Sequence, residues 1–358
     1  MKLYLKPFLF LLAFSIPTLA RTAINASDSL THPLFDTLIH RIKTDVYPNI
    51  HSVLVSHKGQ LVMEQYFHGY TADSLHDVHE VLMSITSLLT GIAMDKGFIE
   101  SLDTPLLSYF PTDSFQDARK ANITLRHLIQ MRAGYDSEAF YGIGPDLTAA
   151  MSAADNWIKF SLEIPLKDDP GKNFSYNSNE PLLLGAAIAH ASNQNIKAFS
   201  QEFLFQPLGI TDYRWSVTPK GYGNTSGAFF MKPSDMIKIG ELVMQSGRWN
   251  GQQLISEPWI KTSTRCADAI DFSFTRYARI NNAKVETAYY GYYWYREHLQ
   301  YGAFQTDVLF ASGSGGQYIM IFEGLDLVLV FTGGNYEGWK NTLPFELALK
   351  YILPAVKN

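Results

Sequence analysis

Among the side chains able to do chemistry, Glu80 is the most conspicuous, a lone carboxylate near the head of the apolar stretch Val78–Gly97 (VHEVLMSITSLLTGIAMDKG). A carboxylate in such a place can serve as nucleophile or general base. The start of a helix, however, favours its charged form and makes it less basic. Attack by Glu80 on an amide would give an anhydride, a poor intermediate for acyl transfer. Glycoside hydrolysis would need a second carboxyl group within roughly 5–10 Å, and the sequence identifies none. The histidines His76, His79 and His127 are scattered singles without metal-ligand spacing, and Cys266 is the only cysteine. Neither a metal centre, nor another cofactor, nor an intramolecular disulfide is expected.

The stretch that carries Glu80 reads as a helix apolar on all sides, which belongs in the middle of a large domain. Gly97 is placed to end it in a left-handed cap. Before it, a helix is expected over Pro33 to Asp45, then a hairpin of His51–His57 and Gln60–Phe67 turning at Lys58-Gly59. The region from 101 to 222 reads as helices and loops, with helices at Leu125–Met131, Thr148–Phe160, Pro181–His190 and Ile196–Phe205. Turn signals at Asp169-Pro170-Gly171 and Pro207-Leu208-Gly209 separate them. A further helix follows at Pro233–Gln245, then strands at Tyr289–Tyr295, Gln317–Phe322 and Leu325–Phe331, and a terminal helix at Leu343–Ile352. Strands at both ends with helices between do not alternate as βαβ units do. They imply an α/β fold of the α+β type: an antiparallel sheet flanked by helices, with a mainly helical lobe inserted. The expected organisation is one domain over 33–358, its sheet lobe formed by 33–100 and 285–358 and its helical lobe by 101–284.

The chain has 358 residues, 46% hydrophobic and 18% charged, enough for a substantial core. A net charge of -5 with no long run of one sign argues against a nucleic-acid partner. At the N-terminus, Lys2 and Lys6 precede the apolar run Phe8–Ile16 and the small-residue end Pro17–Ala20. This reads as a cleaved export signal over residues 1–20, followed by a linker over 21–32, and implies a periplasmic or secreted protein. The apolar run is shorter than the about 20 residues a membrane-spanning helix needs, and no later segment reads as transmembrane.

Seven stretches in order carry a resemblance: Val53–Gly59, Leu75–Val78 leading into Ser84–Leu89, Ile123–Leu128, Pro170–Ser178, Pro207–Thr211, Lys232–Met236 and Gly313–Gln317. In them the chain resembles the superfamily of serine β-lactamases, penicillin-binding proteins and esterases, in particular its β-lactamase-related serine hydrolases. The resemblance implies acyl transfer by a serine in an S-x-x-K motif at the head of the central helix, with the lysine one turn on and a tyrosine completing the proton relay. It also implies an oxyanion hole of two backbone N–H groups, one at the serine and one on the strand after the third motif. Residue by residue, the nucleophile's place is held by Glu80 and the lysine's by Met83. Tyr176 with Ser178 keeps the Y-x-S motif. Ser314-Gly315-Gly316, with Gln317 following, stands where many relatives have a triplet led by lysine or histidine. Arg132-Ala133-Gly134 departs from the commoner Thr-Ser-Gly.

Loss of both nucleophile and base implies a catalytically silent member. Its cleft would bind a peptidoglycan fragment, another carbonyl ligand or a partner protein. The Glu80 carboxylate is then expected to fold onto the vacant oxyanion donors as an internal anion. The alternative is an active hydrolase rearranged around Glu80, Ser84 or Tyr176. Ser84 would lie about 6 Å deeper along the helix than Glu80, without an amine beside it. Tyr176, with no neighbouring lysine, is expected to titrate near the ordinary tyrosine value of about 10.

Overall fold

A computed structural model describes residues 32–110, 117–139, 144–274, 280, 283–284 and 287–357. The expected export signal and nearly all of the linker lie outside the described residues. Among the described residues no helix is long and apolar enough to cross a membrane.

Helix α1 (Pro33–Lys43) starts with proline in its first turn and His32 as cap. Strands β1 (Ile50–His57) and β2 (Gln60–Tyr66) then pair as a hairpin. Lys58 and Gly59 both take positive φ, 53° and 74°, the conformation whose twist matches that of the flanking strands. Four later strands complete the centre of the sheet: β3 (Tyr295–Tyr301), β4 (Phe304–Gly313), β5 (Gln317–Phe322) and β6 (Leu327–Gly333). The order is β2-β1-β6-β5-β4-β3, continuing through the short strands Ala288–Tyr290 and Asp268–Ile270. Every pairing is antiparallel. The two ends of the chain meet where β1 lies against β6, with Val53 opposite Phe331 and His57 opposite Leu327.

Strands β5 and β6 are buried at every position, which is why they read as unbroken apolar runs rather than alternating ones. Helix α5 (Pro233–Met244) covers one face. Its Gly240 approaches so closely that an added Cβ would fall 2.4 Å from Val328 and 2.9 Å from Ile319. On the other face, Phe345 of the C-terminal helical segments packs edge-on against Phe310 and Tyr318. Although α5 falls within the stretch expected to form the helical lobe, it packs against β1, β5 and β6.

Helix α2 (Val81–Asp95) is buried from Val81 to Ala93 and packs against β4, β5, the helix Glu257–Ser263 and α4 (Asn179–Ser192). The N–H of Gly97 bonds the Met94 carbonyl and that of Phe98 the Ala93 carbonyl, the paired bonds of a left-handed C-terminal cap, with Gly97 at φ 75°. Two expectations are corrected. Thr148–Phe160 is not one helix but two, Thr148–Ala153 and Trp157–Glu163; the Asn156 side chain starts the second by accepting the Lys159 N–H. The aromatic run Tyr289–Tyr295 is not one strand: it finishes the strand Ala288–Tyr290, turns over residues 291–294 and enters β3 at Tyr295. The turn is closed by Gly291 N–H on the Trp294 carbonyl, and Tyr293 sits at φ 63°.

Candidate functional site

The site is assembled where α2 begins. The short strand His76–Asp77 pairs with Phe229–Met231 and delivers the chain to His79, which turns at φ 49° with its N–H on Asp77 Oδ1, 3.0 Å away. Glu80 then takes the N-cap position, but its side chain makes no capping bond to its own helix. Instead Glu80 Oε2 accepts the backbone N–H of Ser314 at 2.8 Å. Ser314 directly follows the end of β4, and this contact requires the strand end to abut the helix start. Gly313 permits it: a Cβ there would lie 2.3 Å from the Val78 carbonyl oxygen and 3.2 Å from the Glu80 nitrogen.

One turn into the helix, Met83 is buried, and its sulfur accepts from the Tyr176 hydroxyl at 3.3 Å. A thioether is a weak acceptor and takes no proton. The expectation for Tyr176 needs correction: its pKa does not stay near the ordinary value. Burial, then the neighbouring Tyr295 and the charge of Glu80, raise it well above 10. The phenol is therefore a fixed donor and no base. Ser84 is buried as well, and its Oγ donates to the Tyr293 carbonyl, so the hydroxyl faces the core instead of the cleft. Ser84→Ala is expected to cost about 1–2 kcal/mol by leaving that buried carbonyl unpaired. The measurement is the midpoint of urea unfolding; a neutral substitution would show that the bond contributes nothing.

The other expected site residues divide. Ser178 is half-buried and sits at the N-cap position of α4 without a capping bond to it, its Oγ 3.4 Å from Thr148 Oγ1. Ser314 is exposed, and Gly315 and Gly316 turn beside it at φ 86° and 91°. Gln317 is corrected. It does not face the cleft: it is buried, and its amide nitrogen donates to the Gly333 and Ser314 carbonyls at 2.7 and 3.2 Å. Its amide oxygen accepts the Gly333 N–H at 3.3 Å, so the side chain holds the turn in shape. The structure thus brings Glu80, Met83, Tyr176 and Ser314 to one place and leaves Gln317 behind it.

Two residues carry weight that the sequence did not single out. Glu180, wholly buried in the first turn of α4, accepts from Asn177 Nδ2 at 2.9 Å and from the Ala133 N–H at 3.3 Å. It ties the segment carrying Tyr176 to the loop after α3 (Leu125–Ile129). Burial pushes its carboxyl up to about 8, against the pull of those hydrogen bonds. An acid at the head of an otherwise apolar helix was the available signal. Tyr336 is 59% exposed, with its ring over Gly315 and edge-on to His79 at 5.5 Å; a single loop tyrosine gives no signal of that placement.

A family model described as Beta-lactamase matches residues 51–338. Over 151 residues the chain is 30% identical to monacolin J acid methylbutanoyltransferase of Aspergillus terreus, covering 37% of this chain and 36% of that one. The chain therefore spans about a third of that curated relative's length. Among solved structures, an octameric penicillin-binding protein homologue from Pyrococcus abyssi superposes with a TM-score of 0.66 at 18% identity, over 88% of this chain and 76% of the other. A penicillin binding protein from Bacillus halodurans gives 0.65 at 14% identity, over 88% and 99%. At such identities the structural likeness establishes the fold alone.

Proposed function

The chain belongs to the beta-lactamase family, and we propose that within it this protein is an exported, non-hydrolytic member whose cleft binds a ligand without cleaving it. The observation that carries the reading is the 2.8 Å hydrogen bond from the Ser314 N–H to the Glu80 carboxylate. In acyl transfer such a donor stabilises the oxygen on which charge develops. Here a side chain of the protein already supplies a full negative charge to it. The rest of the site agrees. Met83 cannot accept a serine's proton, Tyr176 is held protonated, and Ser84 is spent on a core carbonyl. The retained cleft suits a small molecule such as a peptidoglycan fragment, or a segment of a partner protein.

The test is covalent labelling. A fluorescent penicillin and a fluorophosphonate, each in excess, are expected to leave the purified protein unmodified. A stable adduct mapped by mass spectrometry to any serine, Ser84 included, overturns the reading.

A further inference from the structure

With its anion built in, the cleft has a charge character of its own. Glu80 Oε1 takes no hydrogen bond from any described residue, and among the described residues no lysine or arginine pairs with this carboxylate. The amine that S-x-x-K would place one turn on is replaced by the Met83 thioether. On the outer side, Tyr336 stands over the turn that follows Ser314; a Cβ on Gly315 would lie 2.6 Å from its Cε1. Asp77 adds a second carboxylate on that side; burial first, and then the Asp77 charge, make the Tyr336 hydroxyl harder to ionise than an ordinary phenol.

Two electrostatic effects compete at Glu80. The start of α2 presents roughly half a positive charge, which by itself would draw anions. The Glu80 carboxylate presents a full negative one, and the Ser314 N–H that could have served an incoming anion is already bonded to it. The balance is negative. A carboxylate entering the cleft meets like charge with no lysine to offset it. An ammonium meets a half-buried carboxylate whose Oε1 no described residue donates to, beside an exposed aromatic ring, the pairing that cations favour. Building on the reading of this cleft as a non-hydrolytic binding site, we infer that it recognises a cationic, amine-bearing group, held by Glu80 and flanked by Tyr336.

The experiment titrates hexylammonium and hexanoate, probes of similar chain length and opposite charge, into the full chain by calorimetry at low salt. The cation is expected to bind on the order of tenfold more tightly than the anion. Glu80→Gln, nearly the same shape, is expected to remove that preference. Tyr336→Ala is expected to weaken the cation roughly threefold without moving the melting temperature, since the ring is mostly in water. Equal or tighter binding of hexanoate, no binding of either probe, or a cation affinity untouched by both variants would each overturn the inference. Fluorophosphonate treatment of the same samples keeps the two claims apart. An adduct defeats the non-hydrolytic reading whatever the titration shows. Absence of both adduct and cation preference defeats the charge assignment alone.

Discussion

The double variant Glu80→Ser/Met83→Lys is expected to react with a fluorophosphonate at a rate on the order of 10²–10⁴ above either single variant. The reasoning is geometric. Residue 80 abuts the strand end at Gly313, so a serine there would stand beside the Ser314 N–H that now serves Glu80. The substitution therefore supplies a nucleophile and frees an oxyanion donor in one step. Lysine at 83 would extend from the position whose sulfur lies 3.3 Å from the Tyr176 hydroxyl. An amine so placed accepts the serine proton and lowers the cost of ionising the phenol, which burial and the Glu80 charge now raise. Glu80→Ser alone has a hydroxyl without a base. Met83→Lys alone has a base beside an internal anion, and its ammonium would pair with Glu80. Neither should react appreciably. A folded double variant as unreactive as the singles would show that the walls of the cleft, such as the Arg132–Gly134 loop, have moved too far for acylation.

That the double substitution can be designed at all reflects which features a sequence exposes. Helix α2 and its end at Gly97 are written locally, in an apolar run and a glycine that accepts positive φ. The β1–β2 hairpin is equally local, fixed by Lys58-Gly59. Strand β4, which delivers Ser314, escaped notice. Its first half alternates exposed and half-buried residues through Asp307, and only its second half is apolar. The Tyr289–Tyr295 run misled for the opposite reason. Its aromatics are strand-like in composition, yet most are buried by packing around a turn, with Tyr293 bonded to the Leu128 carbonyl. At the site, Glu80, Met83 and Tyr176 were legible because their side chains depart from or keep a motif. The identity of the donor that Glu80 meets was not. A backbone N–H carries no residue-type signal, and only the packing of Gly313 against Glu80 shows that it belongs to Ser314.

Acid should loosen the corner that leads into this helix. His76 is 5% exposed, and its ring lies 4.7 Å from Tyr70 and 5.6 Å from His51, with His51 stacked on Tyr70 at 4.0 Å. Its Nε2 has no hydrogen-bond partner among the described residues. Burial, reinforced by His51, lowers His76 from 6.5 to about 4. Burial and the nearby His68 lower His51 likewise. Between these values the unfolded chain binds protons that the folded chain refuses, so stability falls as pH drops below 6.5 and the loss is complete below about 4. For His76 the difference of 2.5 units (6.5 minus 4) corresponds to roughly 3 kcal/mol. Glu180 works in the other direction: with its carboxyl raised to about 8, the folded state holds a proton that the unfolded state releases, so it favours folding as pH falls from 8 towards 4.5. The wild-type curve is a sum of opposed slopes, and a variant is needed to separate them. His76→Phe keeps a ring in the stack and removes both the titration and the unpaired nitrogen. Urea midpoints should match or exceed wild type at pH 7, and the gap in the variant's favour should widen to about 3 kcal/mol at pH 4. Parallel curves for the two proteins across that range would mean that His76 is not where acid acts. The ion-paired carboxylates Asp103, Asp117 and Asp169 cannot imitate the effect, because their lowered values place their losses below pH 4.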